Sequence, residues 1–211
     1  MQKSNLNKFL NGYSMMELLM VLAIIAIMST MALSASLRYN KVLSSLLNDV
    51  NSISMLVRDM QNRTSSFVTA DVNSVPAVGY GVFVDLNAQN KIDPFYKTIN
   101  GAFRPSEAIA PRPDQSLILD SGNYISRICI NGCSTYSGAS KVAIYFIRPR
   151  SYMNFSVPDP NNSSIYINNV PGKTDNINKV CLEISSVTGK YKKRIDMHYV
   201  GQVSFASGAC E

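Results

Sequence analysis

The chain has 211 residues, of which 46% are hydrophobic and 16% are charged, and its formal net charge is +6. This balance excludes a chain too polar to fold and fits one globular domain with an N-terminal extension. The modest positive charge permits contact with acidic polymers or anionic lipid but does not require it.

The N-terminal extension begins with a short polar segment, residues 1–12, whose charged side chains are Lys3 and Lys8. No charged residue occurs from Leu18 to Leu37, and a helix of roughly 20 apolar residues spans a bilayer. We therefore expect the transmembrane half of a helix over residues 13–37. The two lysines predict that its N-terminus lies in the cytoplasm.

The helical pattern continues beyond this apolar segment. Apolar residues recur three and four positions apart, which is typical of a helix with one apolar face, and no proline occurs before Pro76. We expect one helix from about Ser14 to about Ser66, with residues 38–66 as its amphipathic half. The charged residues, Asp49 among them, mostly fall outside the predicted apolar stripe, which consists of Val42, Leu43, Leu46, Leu47, Val50, Ile53, Leu56, Val57 and Met60.

After the helix, the hydrophobic period changes to two. Short runs rich in β-branched and aromatic residues alternate with Asn-, Gly- and Pro-containing turns, which predicts β-strands. The predicted fold class is therefore α+β: a long N-terminal helix followed by an antiparallel β domain, residues 67–211, packed on the amphipathic half of the helix. The predicted strands lie within residues 78–86, 116–120, 123–130, 141–149, 164–170, 179–200 (a hairpin) and 202–207.

Four cysteines lie in the β domain: Cys129, Cys133, Cys181 and Cys210. An even number of cysteines on the exported side of a membrane favours disulfides. If the three residues after Cys129 form a hairpin loop with Gly132 left-handed, Cys129 and Cys133 face each other across two strands, and Cys181 is left to pair with Cys210. A zinc site is the alternative, which the spacing and the single histidine match poorly.

Three interpretations of the apolar segment compete. A cleaved secretory signal needs a small-x-small site, which residues 34–36 supply, but cleavage there would remove half of the helix. A permanent signal anchor fits the length. It leaves Glu17 unexplained, because a carboxylate disfavours membrane insertion.

The third interpretation accounts for Gly12 and Glu17 together. The stretch NGYSMMELL, residues 11–19, resembles the processing region of type IV prepilins. In that family a short basic leader ends in glycine, prepilin peptidase cuts after it, the new N-terminal residue is methylated, and the fifth mature residue is glutamate. The resemblance implies that residues 1–12 are the leader, that cleavage and methylation occur at Gly12 and Tyr13, and that Glu17 acts in assembly.

The role of Glu17 also follows from its charge. When mature helices pack side by side, Glu17 of one subunit can pair with the positive amine of Tyr13 on its neighbour, which offsets the burial of both charges and sets the axial register. The alternative is a capping box, Ser14-x-x-Glu17, at the start of the helix. The two roles are compatible, because a capped free subunit could later yield Glu17 to a neighbour.

The β region is similar in outline to the GspH/FimT-like minor pilins and pseudopilins, which combine a long helix with a two-sheet β domain. This resemblance implies a subunit of a type IV pilus or a type II secretion pseudopilus. Its implied partners are prepilin peptidase, other pilins or pseudopilins, an inner-membrane assembly platform and membrane lipid. The implied location is the bacterial inner membrane, crossed once with the β domain outside, and then a surface or periplasmic filament.

The alternative function is a membrane-anchored DNA-binding or adhesive module that does not polymerise. Some FimT-like pilins bind DNA through a basic C-terminal stretch, and a comparable run here consists of Lys190, Lys192, Lys193 and Arg194 near Tyr191. Lysines suffice for phosphate contacts. The same run also fits a solvated hairpin edge, where lysines discourage edge-to-edge pairing.

A calcium loop is a candidate in residues 85–93. Asp85, Asn87, Gln89 and Asp93 occupy relative positions 1, 3, 5 and 9 of such a loop, with Asn90 where a left-handed residue is needed. The closing acidic residue is missing, because position 12 is Tyr96. A plain Asn/Asp-rich turn explains the same residues.

The sequence offers no catalytic constellation. It contains no nucleophile motif, phosphate-binding loop or metal-ligand cluster, and its one histidine, His198, lies in a β context. We therefore expect that the protein is not an enzyme and, calcium aside, needs no cofactor.

Overall fold

The structure is a computed structural model that describes residues 14–66, 77–97, 116–133, 136–137, 139–148, 150–159, 162–168 and 177–210. The described residues form one α-helix followed by eleven β-strands in two antiparallel sheets. The predicted α+β class is confirmed. The chain divides into two compact units between Val42 and Leu43, a few residues beyond the predicted membrane boundary at Leu37.

The helix α1 spans Met15–Ser65, within one residue of the prediction at each end. In the first unit its large apolar side chains, from Met15 to Leu37, are 49–83% exposed. This segment is long and apolar enough to cross a membrane. A charge-free apolar surface of this size is unfavourable in water, which favours lipid or other helices as its environment.

In the second unit α1 buries one face, as the apolar periodicity predicts. Its buried apolar residues are Leu46, Val50, Ile53, Val57 and Met60. Two details of the predicted stripe are wrong. Leu47 is exposed, and Asp49, which we expected outside the stripe, is only 4% exposed. Asp49 precedes Val50 and is buried against the β domain, where neutral polar groups hydrogen-bond to its carboxylate.

The first sheet has the strand order β3-β2-β1-β6-β7-β8. Strands β2 and β7 were not predicted, because β2 contains Pro94 and β7 is interrupted by polar residues. Pro94 is compatible with β2, since among the described residues β3 pairs only with Lys91 and Ile92, and no described strand faces the N atom of Pro94. The strands are β1 Gly79–Asp85, β2 Lys91–Lys97, β3 Leu117–Ile118, β6 Lys141–Ile147, β7 Arg150–Asp159 and β8 Asn162–Asn168.

The second sheet has the strand order β11-β10-β9-β4-β5. Its predicted hairpin, β9–β10, is confirmed by a continuous antiparallel register from Lys179↔His198 to Ser185↔Lys192. The strands are β4 Tyr124–Ile130, β5 Tyr136–Ser137, β9 Lys179–Ser185, β10 Lys192–His198 and β11 Val203–Ser207.

One hydrophobic core joins the buried face of α1 with one face of each sheet. On β9 the core residues Val180, Leu182 and Ile184 alternate with Cys181 and Glu183. Because alternate residues of a strand point to opposite faces, Cys181 and Glu183 lie on the outer face of the second sheet.

The C-terminal end of α1 is held by Arg148, which follows β6. Its Nε donates a hydrogen bond to the Thr64 carbonyl at 2.7 Å, and its Nη2 donates to the Arg63 carbonyl at 3.4 Å. A cation beside the last helical carbonyls also complements the helix dipole. The contact fixes where the helix meets the first sheet.

Candidate functional site

Glu17 stands in the first turn of α1, at the third helical position. Its backbone N–H donates to the Ser14 carbonyl at 2.9 Å and to Ser14 Oγ at 3.3 Å. The serine therefore supplies its half of the predicted capping box. In the described part of the chain the carboxylate of Glu17 has no hydrogen-bond or ion-pair partner, so it is free to bind a group from another molecule.

The surroundings of Glu17 make an unpaired carboxylate costly in lipid. Met15, Met16 and Leu18 beside it are all exposed, and no further charge follows until Arg38. A carboxylate at membrane depth is favourable only when it meets a cation or donor. Gly12 and Tyr13, which would supply the mature N-terminal amine, lie outside the described residues.

The four cysteines form two disulfides, Cys129–Cys133 and Cys181–Cys210, which is the pairing that the hairpin hypothesis gives. The geometry of the first pair differs from that hypothesis. Cys133 is not on a strand opposite Cys129, because the ladder partner of Cys129 on β5 is Ser137.

Cys133 instead ends a left-handed turn that folds back onto β4. Asn131, Gly132 and Cys133 have φ angles of 50°, 86° and 57°, so the predicted left-handed Gly132 is confirmed within a longer left-handed run. Asn131 is held there by its Oδ1, which accepts hydrogen bonds from the backbone N–H groups of Asn178 at 2.8 Å and Lys179 at 3.1 Å.

The second disulfide fastens a C-terminal strap, residues 208–210, across the outer face of the second sheet. The Ala209 carbonyl accepts a hydrogen bond from Arg194 Nη1 at 3.2 Å, and the Cys210 N–H donates to Glu183 Oε2 at 3.1 Å. The strap thus runs from β11 over β10 to β9. It ends beside the first disulfide, where Cys133 Sγ lies 3.6 Å from the Cys210 carbonyl.

Glu183, which is 2% exposed, is the polar centre under the strap. Besides Cys210 N–H, it accepts hydrogen bonds from Lys192 Nζ at 2.8 Å and Ser126 Oγ at 2.8 Å. Burial by itself raises the pKa of this carboxyl, but the donors, Lys192 first, together lower the pKa below its ordinary value. Glu183 is therefore a charged group that holds β4, β10 and the strap together.

The basic run lies at the β9–β10 turn and along β10, and most of its cations have protein partners. Lys192 binds Glu183, Arg194 Nε lies 3.4 Å from Asp196 Oδ2, and Lys193 Nζ donates to Ser207 Oγ at 2.6 Å. Lys190 lies over the Tyr191 ring at 5.6 Å. An anionic polymer would have to compete with these contacts, most of all with the buried carboxylate of Glu183.

The calcium candidate forms the β1–β2 hairpin. Asp85 caps a short 3₁₀ turn by accepting the Asn87 N–H at 2.8 Å and pairs with Lys141 at 3.0 Å. Asp93 pairs with Lys91 at 2.8 Å. Asn90 does not have the left-handed conformation that a calcium loop requires. Gln89 is exposed, and within the described ranges no cluster of three metal-ligating side chains occurs.

A polar network that the periodicity of the sequence does not predict joins α1 to the segment before β4. Asp49 Oδ1 accepts the Asp120 N–H at 2.9 Å, and the Asn123 amide donates to Asp49 Oδ2 at 2.7 Å and to Ser45 Oγ at 3.0 Å. Burial raises the pKa of Asp49, although the hydrogen bonds from Asp120 and Asn123 oppose the rise. The signal that could have revealed it is an aspartate flanking the apolar stripe next to Val50.

No protein-family model, curated protein or solved structure matches this chain. The assignment of a function therefore rests on the residues and contacts described above.

Proposed function

We propose that this chain is a subunit of the type IV filament class, which comprises type IV pilins and the pseudopilins of type II secretion. The observation that carries the proposal is Glu17, an unpaired carboxylate in the first turn of an exposed apolar helix. Counted from Tyr13, the residue after Gly12, it is the fifth residue. Within the class we propose a minor pilin or pseudopilin of the GspH/FimT-like kind.

The uninterrupted helix supports an anchor over a cleaved signal. Residues 34–36 lie inside α1, and the same helix supplies Leu46, Val50 and Ile53 to the core of the second unit. Cleavage at the small-residue site would create a charged terminus in the middle of a helix. Cleavage after Gly12 leaves α1 whole.

The chemistry of assembly follows from the charge on Glu17. Cleavage after Gly12 makes a positive amine at Tyr13, and the carboxylate of Glu17 is the nearest anionic group in sequence. Pairing between neighbouring subunits offsets much of the cost of holding both charges in an apolar environment. Only one axial offset between parallel helices brings the two groups together, so the pair also sets the register.

The ion-paired residues of the β domain differ from Glu17, because their partners lie within the same chain. Glu183 pairs with Lys192 and accepts a hydrogen bond from the strap, and Arg194 forms an ion pair with Asp196, while Glu17 lacks a partner in its own described chain. The disulfides Cys129–Cys133 and Cys181–Cys210 suit an oxidising compartment, in agreement with a β domain on the outer side of the inner membrane. Prepilin peptidase, other pilins and the assembly platform are the proposed partners.

Assembly tests the proposal through two matched variants. In cells that build the whole filament, Glu17→Ala should leave the chain processed but lower its amount in sheared filaments by about tenfold, the effect of losing about 1.4 kcal/mol at each contact. Ser14→Ala, which removes the cap at 3.3 Å but keeps the carboxylate, should assemble. An equal loss of both variants from the filament fraction would mean that Glu17 acts only through the helix cap, which would contradict the proposal.

The second candidate is a membrane-anchored DNA-binding or adhesive module that does not polymerise. Lys190, exposed beside Tyr191, is the observation that favours it, because a cation next to an aromatic ring suits a nucleotide strand. Presence of the wild-type chain in the filament fraction would exclude this candidate. Salt-dependent DNA binding that is unchanged in Lys190→Ala would argue against a role for Lys190.

A further inference from the structure

Among the residues that the structure describes, the last strand of the second sheet, β11, is an open edge without the features that usually protect one. It pairs with β10 on one side only, and its register with β10 is continuous from Lys193↔Ser207 to Met197↔Val203. The strand reads VSFAS and contains no proline, no charged residue and no bulge. Proteins normally blunt exposed edges with such features. Of the other edge strands, β3 and β5 have two residues each, and the longer β8 belongs to the first sheet.

The backbone of β11 offers a defined set of hydrogen-bonding groups. Gly208 N–H donates to the Lys192 carbonyl and His198 N–H donates to the Gln202 carbonyl. Since hydrogen-bonded and non-hydrogen-bonded pairs alternate along an antiparallel ladder, Ser204 and Ala206 also bond to β10. The N–H and C=O groups of Val203, Phe205 and Ser207 therefore point away from the sheet.

Phe205 shows that the apolar core stops short at this edge. It lies opposite Ile195, which is fully buried, and so projects from the core face of the sheet. Its side chain is nevertheless 54% exposed, because no described strand pairs with the outer side of β11. An added strand that carried an apolar residue opposite Phe205 would extend the core.

We propose that β11 pairs with β11 of a second copy of this chain, antiparallel and centred on Phe205. The three outward residues are symmetric about Phe205, so a two-fold pairing places Val203 opposite Ser207 of the second copy and the two phenylalanines opposite each other. All outward donors and acceptors then find partners, and the aromatic pair covers both rings.

The lack of charged residues on β11 also favours pairing with a second copy of this chain. The strand is uncharged, so no like charges oppose each other across the two-fold axis. The nearest cations are neutralised or bound within one chain: Arg194 lies beside Asp196, and Lys193 donates to Ser207 Oγ. A two-fold contact also closes on itself, whereas pairing of β11 with a different edge would build an open array.

The contact is expected to be weak in dilute solution. A five-residue edge buries less than the roughly 1,000 Å² of a stable interface. The fraction of paired chains should rise when chains share a micelle or membrane, where the effective concentration is high. The inference rests on β11 alone and does not depend on the proposed function.

Photo-crosslinking of the purified full-length chain in detergent tests the pairing. With benzoyl-phenylalanine at position 205 we expect a crosslinked dimer whose linked peptides both contain residues 203–207. The same probe at Val187, which is 61% exposed in the β9–β10 turn, should give a dimer yield of at most about one fifth of that at position 205.

Two variants separate backbone pairing from mere proximity. Ser207→Pro and Ser207→Ala both lose the hydroxyl that binds Lys193, but only Ser207→Pro removes an outward N–H. Dimer crosslinking should fall about fivefold in Ser207→Pro and persist in Ser207→Ala, with the Cys181–Cys210 bond retained in both as the check on folding. Equal yields in the two variants, or crosslinks that fall outside residues 203–207, would overturn the proposal.

Discussion

Asp49 Oδ2 lies 2.7 Å from Asn123 Nδ2, and this hydrogen bond joins the amphipathic half of α1 to the residue that precedes β4. Asp49 Oδ1 accepts the Asp120 N–H from the same segment. We call this pair of hydrogen bonds the latch. Both oxygens of the buried Asp49 carboxylate accept hydrogen bonds from the segment before β4, so the latch fixes the position of the helix against that segment.

Removal of the Asp49 carboxylate should destabilise the β domain. Asp49→Ala leaves the Asp120 N–H and one Asn123 donor without their acceptor, which costs about 2–3 kcal/mol of unfolding free energy. Asn48→Ala, an exposed neighbour on the same helix, is the control and should change little. Thermal unfolding of the full chain in detergent measures both, and equal stabilities would show that the latch contributes nothing.

The contribution of Asp49 to the free energy of unfolding should decrease as pH rises, whereas that of most paired carboxylates increases. Its folded pKa is raised above its ordinary 3.8, so its contribution to stability is complete below the unfolded pKa and is lost as pH rises through the folded pKa. Asp49→Asn removes this titration. The stability of the variant should therefore fall less than that of the wild type as pH rises from about 4 towards neutrality.

The contribution of Glu183 to the free energy of unfolding should increase as pH rises, as for most paired carboxylates. Its folded pKa lies below its ordinary 4.5, so its contribution is present above the unfolded pKa and is lost as pH falls through the folded pKa. Glu183→Gln should flatten the acid limb of the stability curve below about pH 4.5. An unchanged acid limb in this variant would mean that the Lys192 and strap contacts do not depend on the charge.

The two disulfides should contribute unequally. Cys181–Cys210 closes a chain separation of 29 residues and Cys129–Cys133 one of 4. On the chain-entropy account these are worth about 3–4 and about 2 kcal/mol. The double variant Cys181→Ser, Cys210→Ser should therefore melt at the lower temperature, and it also frees the strap from Glu183. A larger loss from the other double variant would contradict this order.

Much of the architecture follows from local patterns. The bounds of α1 were predictable because its apolar repeat is unbroken and Ser14 marks its start. The β9–β10 hairpin was equally clear from its alternation and its Thr188-Gly189 turn. The pairing of Cys129 with Cys133 follows from a hairpin with Gly132 left-handed, and Gly132 has that conformation although Cys133 is not on the facing strand.

The remaining features depend on contacts between distant segments. Strand β2 was missed because Pro94 argues against a strand unless one knows that β3 covers only its first residues. The burial of Asp49 does not follow from the periodicity of α1, because its partners, Asp120 and Asn123, are 71 and 74 residues away along the chain. The contacts of the strap with Glu183 are likewise invisible until β9 and β11 are placed in one sheet.

The intact mass of the wild-type chain, extracted from membranes of cells that contain a prepilin peptidase, tests the central proposal most directly. We expect the loss of residues 1–12 and the gain of one methyl group on Tyr13, and we expect Gly12→Leu to block both. A mature N-terminus near Ala35, or an uncut chain beginning at Met1, would contradict it.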